Sequence, residues 1–518
     1  MKKWLLLIII LFMPTIVFGH TFDINTKINL NGKKISNGEF TIELRNYKDE
    51  VVMTTTNDKD GNVVFKNVET EMVDTFKNSQ PYMNIFIMNI KKNKSGQYTI
   101  PNDTIYVGVY FDENEITEIS YLKNLDNHYA KTKKTGKSIF HAKDSDLVGE
   151  AFVEVDKDTG ILTIFRDDVG KYTNEEEIGN KIYFTGVEDN SIYINDYIRS
   201  LVTRFIVKDP IKLSTSASFF EAYHNLEEYE GLDKVDSSNV TSMKDMFIDN
   251  RKVKIIDLST WDTSKVTDFS FMFNYCEELE TVYLDNFDTS KATNIGYMFQ
   301  DCSKLKSVNI DSFNFNSLEY GAMLFKGTAI EAYDFSGKTM PETAHFDSIG
   351  IDSGYVRYID YSTVKYIVSS EFYGMSCLNV LKLQHSRTDF YNYNPSSSYI
   401  SFPTSLDRWN SYWYFPNNKR IFDASQIQYF INTGYMYGFS GHPDADDRGY
   451  LYPELDFSML VRPKCNTNME EFDVLYKKID VSVNPKTLHN TVIVFSVVLL
   501  CFIGFGILYS VKKRKVFY

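Results

Sequence analysis

The phrase Asp236-Ser237-Ser238-Asn239-Val240 recurs as Asp262-Thr263-Ser264-Lys265-Val266 and as Asp288-Thr289-Ser290-Lys291-Ala292, each copy 26 residues after the last. Met246-Phe247, Met272-Phe273 and Met298-Phe299 keep the same step, and Leu324-Phe325 extends it once more. A fixed period of about 20 to 50 residues predicts an array of stacked units, because one such unit cannot bury its apolar face without a neighbour. An array of this kind is expected to present a surface rather than a chemical pocket.

Within each unit the apolar spacing changes. Met243, Met246 and Phe247 stand at i, i+3 and i+4, as do Phe269, Met272 and Phe273, and Ile295, Met298 and Phe299. That spacing predicts a short helical turn. Val253, Ile256, Leu258 and Trp261 follow, matched by Leu279, Val282, Leu284 and Phe287, then by Leu305, Val308, Ile310 and Phe313. This is the L-x-x-L-x-L framework of a strand with one buried side. Later copies drift, with Ile330, Tyr333 and Phe335 one position early and Met375 to Leu383 recovering the pattern.

The phrases "LSTWDTSKVTDFSFMFNYCEELETVYL" and "LDNFDTSKATNIGYMFQDCSKLKSVNI" resemble the repeats of BspA-type leucine-rich-repeat surface proteins of bacteria and some protists. The resemblance spans roughly Leu147 to Leu383 and is strongest from Asp236 to Phe313. It implies a leucine-rich-repeat solenoid with one short strand and one short helical turn per unit. Residues 147–235 would be its lead-in, 236–400 the repeats and 401–483 an aromatic-rich cap or stalk.

Ahead of the repeats, residues 20–135 alternate apolar and polar positions between Asn-Gly and Asp-Gly punctuation, which predicts antiparallel strands in a β-sandwich. The phrases "GKKISNGEFTIEL" and "TTNDKDGNVVF" resemble pilin-like isopeptide-linkage domains of Gram-positive surface proteins. Such domains often cross-link a Lys to an Asn beside a buried acid. Here Lys27 falls about one residue from the expected place and Asn89 stands where the acid belongs, so a spacer or second binding module is the alternative. The expected fold class is therefore α+β multidomain.

The two ends place the chain. Lys2 and Lys3 precede the apolar run Trp4 to Phe18, which has the form of a secretory signal peptide over residues 1–19. Thr491 to Ser510 is apolar over about the length that crosses a bilayer, and Lys512, Lys513, Arg514 and Lys515 follow it at once. Asn484-Pro485-Lys486-Thr487-Leu488 stands just before this run. The order of pentapeptide, membrane helix and basic tail over 484–518 resembles a sortase sorting signal, although the familiar form begins with Leu and has Gly after Thr. It implies thiolate attack on the Thr487 carbonyl and transfer of the chain to peptidoglycan. A plain membrane anchor is the alternative, and both leave the ectodomain outside the cell.

The formal charge of −14 disfavours nucleic acid and anionic lipid as partners, since both attract Lys and Arg. Cys276 and Cys302 occupy equivalent places in successive units and Cys377 a related one, which predicts buried small side chains rather than a disulfide framework. Neither hydrolase, zincin nor phosphate-loop motifs are present, so no enzyme activity, cofactor or metal is expected. A carboxylate pair for glycan hydrolysis is the remote alternative. The loop His442, Asp444, Asp446 and Asp447 lacks the alternation and terminal Glu of an EF-hand. The aromatics Trp409, Tyr412, Trp413, Tyr414 and Phe415 either close an open end of the array or stack on sugars.

Strand alternation places Ile255, Asp257 and Ser259, then Thr281, Tyr283 and Asp285, then Ser307, Asn309 and Asp311 on the outer side of the rungs. This ladder is the expected binding face for an extracellular protein or glycan. The functional expectation is a bacterial surface adhesin, with a pilus-like or coat component as the rival.

Overall fold

The computed structural model describes residues 21–70, 82–112, 115–123, 132–215 and 220–341, with shorter stretches between 344 and 476. The 26-residue units lie side by side as rungs of one column. Met243 N–H donates to the Asp268 carbonyl at 2.8 Å, Phe269 N–H to Asn294 at 2.8 Å and Ile295 N–H to Tyr320 at 2.9 Å. Ile255–Asp257 pairs in parallel with Thr281–Tyr283, Ile256 opposite Val282. Ala332–Asp334, Tyr358–Asp360 and Val380–Lys382 form a second parallel run farther along.

The recurring Asp-hydroxyl phrase has two structural duties. Each leading carboxylate closes a local turn: Asp236, Asp262 and Asp288 Oδ1 accept from the N–H groups of Ser238, Ser264 and Ser290. The hydroxyl that follows staples one rung to the next. Thr289 Oγ1 donates to the Asn314 carbonyl at 2.9 Å and accepts from Asn314 N–H at 2.7 Å. Thr263 treats Asp288 in the same way, and Ser237 treats Asp262. Thr289→Val keeps the shape but strips Asn314 of both partners, so it is expected to cost about 1–3 kcal/mol. Urea unfolding reads this as a lower midpoint, and Thr289→Ser should recover most of the loss.

Apolar side chains pile up behind these turns. Ile256 and Val282 are buried, and Val308 packs partly buried against the same core. The rings of Phe247, Phe273 and Phe299 stack nearly parallel at 5.7 and 5.2 Å. Cys276 and Cys302 are free and buried, and their thiols donate to the Phe247 and Phe273 carbonyls. Burial pushes the Cys276 thiol up to about 12.

The expectation of an α+β leucine-rich-repeat solenoid with a helical turn per unit does not hold. The described chain is almost entirely strand and turn, and its one α-helix, Asp196–Leu201, lies ahead of the repeats. The reason is in the backbone. Asp245, Phe271, Tyr297 and Met323 have φ between 56 and 62°, and Asp249, Tyr275 and Asp301 have φ of 62, 61 and 58°. A left-handed residue every few positions cannot belong to a right-handed helix. The N–H groups of Met243, Asp245, Phe247 and Asp249 bond to carbonyls of the next rung instead. Spacing of i, i+3 and i+4 is thus met by consecutive turns. Among the described residues no helix is long and apolar enough to cross a membrane. The expected C-terminal transmembrane helix at Thr491 to Ser510, the leader 1–19 and the pentapeptide Asn484 to Leu488 lie outside the described residues.

The column begins on a six-stranded sheet. Glu150–Asp156, Ile161–Asp167, Glu176–Ile178 and Lys181–Phe184 pair antiparallel, and Arg204–Val207 and Glu228–Glu230 then add in parallel. At the far end Val380–Lys382 meets Leu460–Val461, and Tyr412–Phe415 with Arg420–Asp423 completes the sheet, all antiparallel. Trp413 and Phe415 turn into the column core, and the Arg462 guanidinium sits 4.6 Å from the Trp413 ring. These two aromatics thus help to close the column's end.

The N-terminal strands form two sheets around one core that includes Ile24, Phe40, Phe65, Met88 and Val107. Sequence boundaries do not coincide with this unit. Glu471–Asp473, from the segment expected to be cap or stalk, joins Thr21–Asn29 in parallel, and Leu475–Tyr476 pairs with Tyr98–Thr99. Lys123 Nζ lies 3.4 Å from Asp473 Oδ2 and 3.2 Å from Asp103 Oδ2. Lys27 lies between buried Thr26 and Ile28 on the outer side of its sheet, while Asn89 Oδ1 accepts from Thr104 on the outer side of the other.

The larger N-terminal sheet also packs on the column. Met83, Ile85, Tyr106, Tyr110 and Leu122 meet Tyr358, Val380, Tyr412, Tyr414 and Val461 in a second interface core. Gly108 allows this approach, since a Cβ there would lie 2.6 Å from Pro463 Cγ.

Candidate functional site

The outer side of the rungs, where Ile255 and Asp257 lie in register with Thr281 and Tyr283, is not open. Asp257, Thr281, Tyr283, Asp285 and Ser307 are half-buried, Ser259 and Asn309 are buried, and Ile255 and Asp311 remain exposed. Farther along, Ala332, Tyr358 and Val380 continue the outer side and are covered by the N-terminal sheet.

Residues 132–142 cross the middle rungs as an extended strap. Thr132 Oγ1 donates to the Ser307 carbonyl at 3.1 Å. The Asp285 carboxylate accepts from the N–H of Thr135, its hydroxyl at 2.9 Å and the N–H of Gly136 at 3.1 Å. Lys137 Nζ reaches Asp257 Oδ2 at 2.7 Å, and the Lys137 carbonyl accepts from Asn286 Nδ2 at 2.9 Å. Phe140 N–H bonds to the Thr260 carbonyl at 2.8 Å, and Ala142 N–H to Asp236 Oδ2 at 3.0 Å. His141 lies 3.8 Å from Asp236 and 3.9 Å from Asp262. The rungs therefore offer carboxylates and carbonyls, and the strap answers with main-chain N–H groups and one ammonium.

Electrostatics favour the charged state of Asp236 and Asp257. Burial pushes the Asp236 carboxyl up, but hydrogen bonds from Ser238 and Ala142 and the Lys212 ammonium 3.4 Å away outweigh it, leaving the pKa below the ordinary value. Asp257 behaves alike: burial raises it, and Lys137 and Ser259 more than compensate. The Lys137 ammonium is correspondingly raised, chiefly by its hydrogen bond to Asp257. A carboxyl depressed in the folded state stabilises above its unfolded pKa of about 3.9 and loses that contribution as pH falls through the folded value. Strap docking is thus expected to be complete at neutral pH and to fail in acid below about pH 4. Carboxyl carbon NMR titrations of Asp236 and Asp257, followed with the Ala142 amide shift, check this. Midpoints at or above the ordinary value contradict it.

A cleft of about 930 Å³ opens beside Lys137. Glu227, Glu228, Glu230, Asp233, Asp257 and Glu278 line it together with Lys137, Lys252 and Lys254, so acids outnumber lysines past the strap. Among the described residues no cluster of three or more His, Cys, Asp or Glu is arranged to hold a metal ion.

Sequence reasoning missed the strap. Its signal was a run of Lys133, Lys134, Lys137 and Lys143 with no acid between Thr132 and Lys143, next to an acidic repeat array. His442, Asp444, Asp446, Asp447 and Trp409 lie outside the described residues.

Residues 214–336 match a family described as Mycoplasma protein of unknown function, DUF285. The match covers the rungs in which the hydroxyl staple recurs. No curated protein and no solved structure matches the chain.

Proposed function

We propose that this chain is a bacterial surface protein that is exported, held at its C-terminal end and binds an extracellular macromolecule. The leader-like residues 1–19, the sorting-like pentapeptide ending at Thr487 and Leu488, and the apolar run with its basic tail support the location. In this reading a sortase cuts after Thr487 and joins the chain to peptidoglycan, or the apolar run stays in the membrane.

One observation carries the binding role. The outer side of the column carries acids or hydroxyls on successive rungs, Asp257 and Ser259, then Thr281 and Asp285, then Ser307 and Asp311, and a cleft with more acids than lysines opens along it at Asp257. Surfaces of stacked repeats suit extended partners because successive rungs follow one another at a constant step.

The purified chain lacking its leader and C-terminal apolar run is titrated against matrix proteins, mucins, glycans and whole bacteria. Saturable binding to one of them, weakened by Asp257→Asn and Tyr283→Ala, is expected. Lack of saturable binding to any of them overturns the adhesin reading. Covalent high-mass ladders in wall extracts would instead favour a pilus-like component.

A further inference from the structure

The outer side of the rungs already seats a polypeptide, the chain's own strap. Building on the surface-binding reading, we propose that this side is a groove for an extended, lysine-bearing polypeptide segment. Residues 132–142 are its resident occupant, and a partner segment of the same chemistry binds by displacing them.

The contacts define what the groove recognises. Thr135, Gly136, Phe140 and Ala142 each present a main-chain N–H to an acceptor of the column. Asn286 holds a strap carbonyl in return. Recognition through main-chain N–H groups tolerates many side chains, with a left-handed residue, here Gly136, where two N–H groups converge on Asp285. Specificity comes from charge: the ammonium of Lys137 lies on Asp257, beside a cleft whose further acids, Glu227, Glu228, Glu230, Asp233 and Glu278, outnumber its other lysines, Lys252 and Lys254. A neutral glycan would supply neither the ordered row of amide donors nor the ammonium.

The strap is suited to displacement. Lys133, Lys134, Gly136, Lys137, Ser138 and Ile139 are exposed on its outer side, so little apolar surface holds it down. Its Lys137–Asp257 ion pair is open to salt screening, since the Lys137 side chain is 45% exposed. The strap's advantage is its tether, which gives it an effective concentration of order millimolar. A partner must exceed that, or the strap must first be loosened. Gly136 offers a way to loosen it, since its φ of +70° is closed to proline and its N–H is one of the bonds to Asp285.

The test uses a fluorescent synthetic peptide with the sequence of residues 132–143. It is titrated onto the unmodified ectodomain, onto a Gly136→Pro/Lys137→Ala variant, and onto that variant carrying Asp257→Asn and Asp285→Asn. The loosened variant is expected to bind the peptide at least about tenfold more tightly than the unmodified chain. The two Asn substitutions should remove that gain. Equal binding by the unmodified and loosened proteins, both with intact unfolding transitions, overturns the proposal.

A second measurement needs no variant. With the peptide at about 10 mM, above the tether's millimolar range, amide exchange at Thr135, Gly136 and Ala142 should accelerate about tenfold while the rungs stay protected. Unchanged exchange overturns the proposal. Peptide capture without saturable binding to any extracellular macromolecule would uphold the groove and overturn the adhesin reading. Binding of a glycan or matrix protein that is indifferent both to the peptide and to Gly136→Pro would do the reverse.

Discussion

Phe273→Ala is expected to lower the stability of the folded chain by about 3–5 kcal/mol. Phe273 is fully buried, and its ring lies between Phe247 and Phe299 at 5.7 and 5.2 Å. Truncation removes the transfer free energy of the ring and leaves a void bounded by two rigid rungs. The backbone cannot collapse into it, because Phe273 N–H is bonded to the Met298 carbonyl and Phe247 N–H to the Met272 carbonyl. The rungs on either side lose a common neighbour, so the transition should broaden as well as shift. Equilibrium urea unfolding followed by tyrosine and tryptophan fluorescence measures both. A loss under about 1 kcal/mol would mean that the column does not depend on continuous stacking.

Asn250→Asp tests the polar part of the same core. Asn250 is buried; its Oδ1 accepts from Tyr223 N–H, and its Nδ2 donates to the Phe220 carbonyl and the Tyr229 hydroxyl. It occupies the place that Cys276 and Cys302 hold in later rungs, and like them it donates to a carbonyl of the preceding rung. Aspartate has the same shape but, when ionised, turns a second oxygen toward that carbonyl. The expected loss at neutral pH is about 3–5 kcal/mol, the scale of an uncompensated buried charge. The sign with pH is distinctive. Burial raises the folded pKa of the new carboxyl, so the penalty is absent well below its unfolded value of about 3.9, grows as pH rises and levels off above the folded value. Stability that is equally reduced at pH 3 and pH 7 would show that geometry, not charge, is at fault.

Much of the column was legible. Met243, Phe247, Ile256, Leu258 and Trp261, and their counterparts 26 residues on, are buried as the apolar pattern predicts. The pattern did not disclose what the backbone does between them. Three apolar positions at i, i+3 and i+4 share one side of a helix, and they also share one side of two consecutive turns with left-handed corners. Asp245 and Asp249 tolerate such a corner, but Phe271, Tyr275 and Tyr297 occupy it too, and no local rule would have placed them there. Their conformation is sustained by bonds to the next rung.

The candidate face was half legible. Alternation in the strands put Asp257, Tyr283 and Asp285 on the outer side, where they are found. It could not show that Lys137 and Gly136 would lie on them, because 120 residues separate Lys137 from Asp257 and 149 separate Gly136 from Asp285. Nor could it show that Glu471–Asp473 returns to the first strand, 444 residues away in the Asn29 to Asp473 side-chain bond.

By itself, then, the sequence determined the repeat length and the identity of the buried rungs. Those depend on contacts within one unit or between units of like apolar pattern, so each copy restates the same instruction. The tertiary structure alone decided that the units are turns rather than helices, what covers the outer side of the column and which strand completes the N-terminal sheet. These outcomes rest on pairing between distant segments with unlike sequences, where hydrogen-bond donors meet acceptors only after the whole chain has closed upon itself.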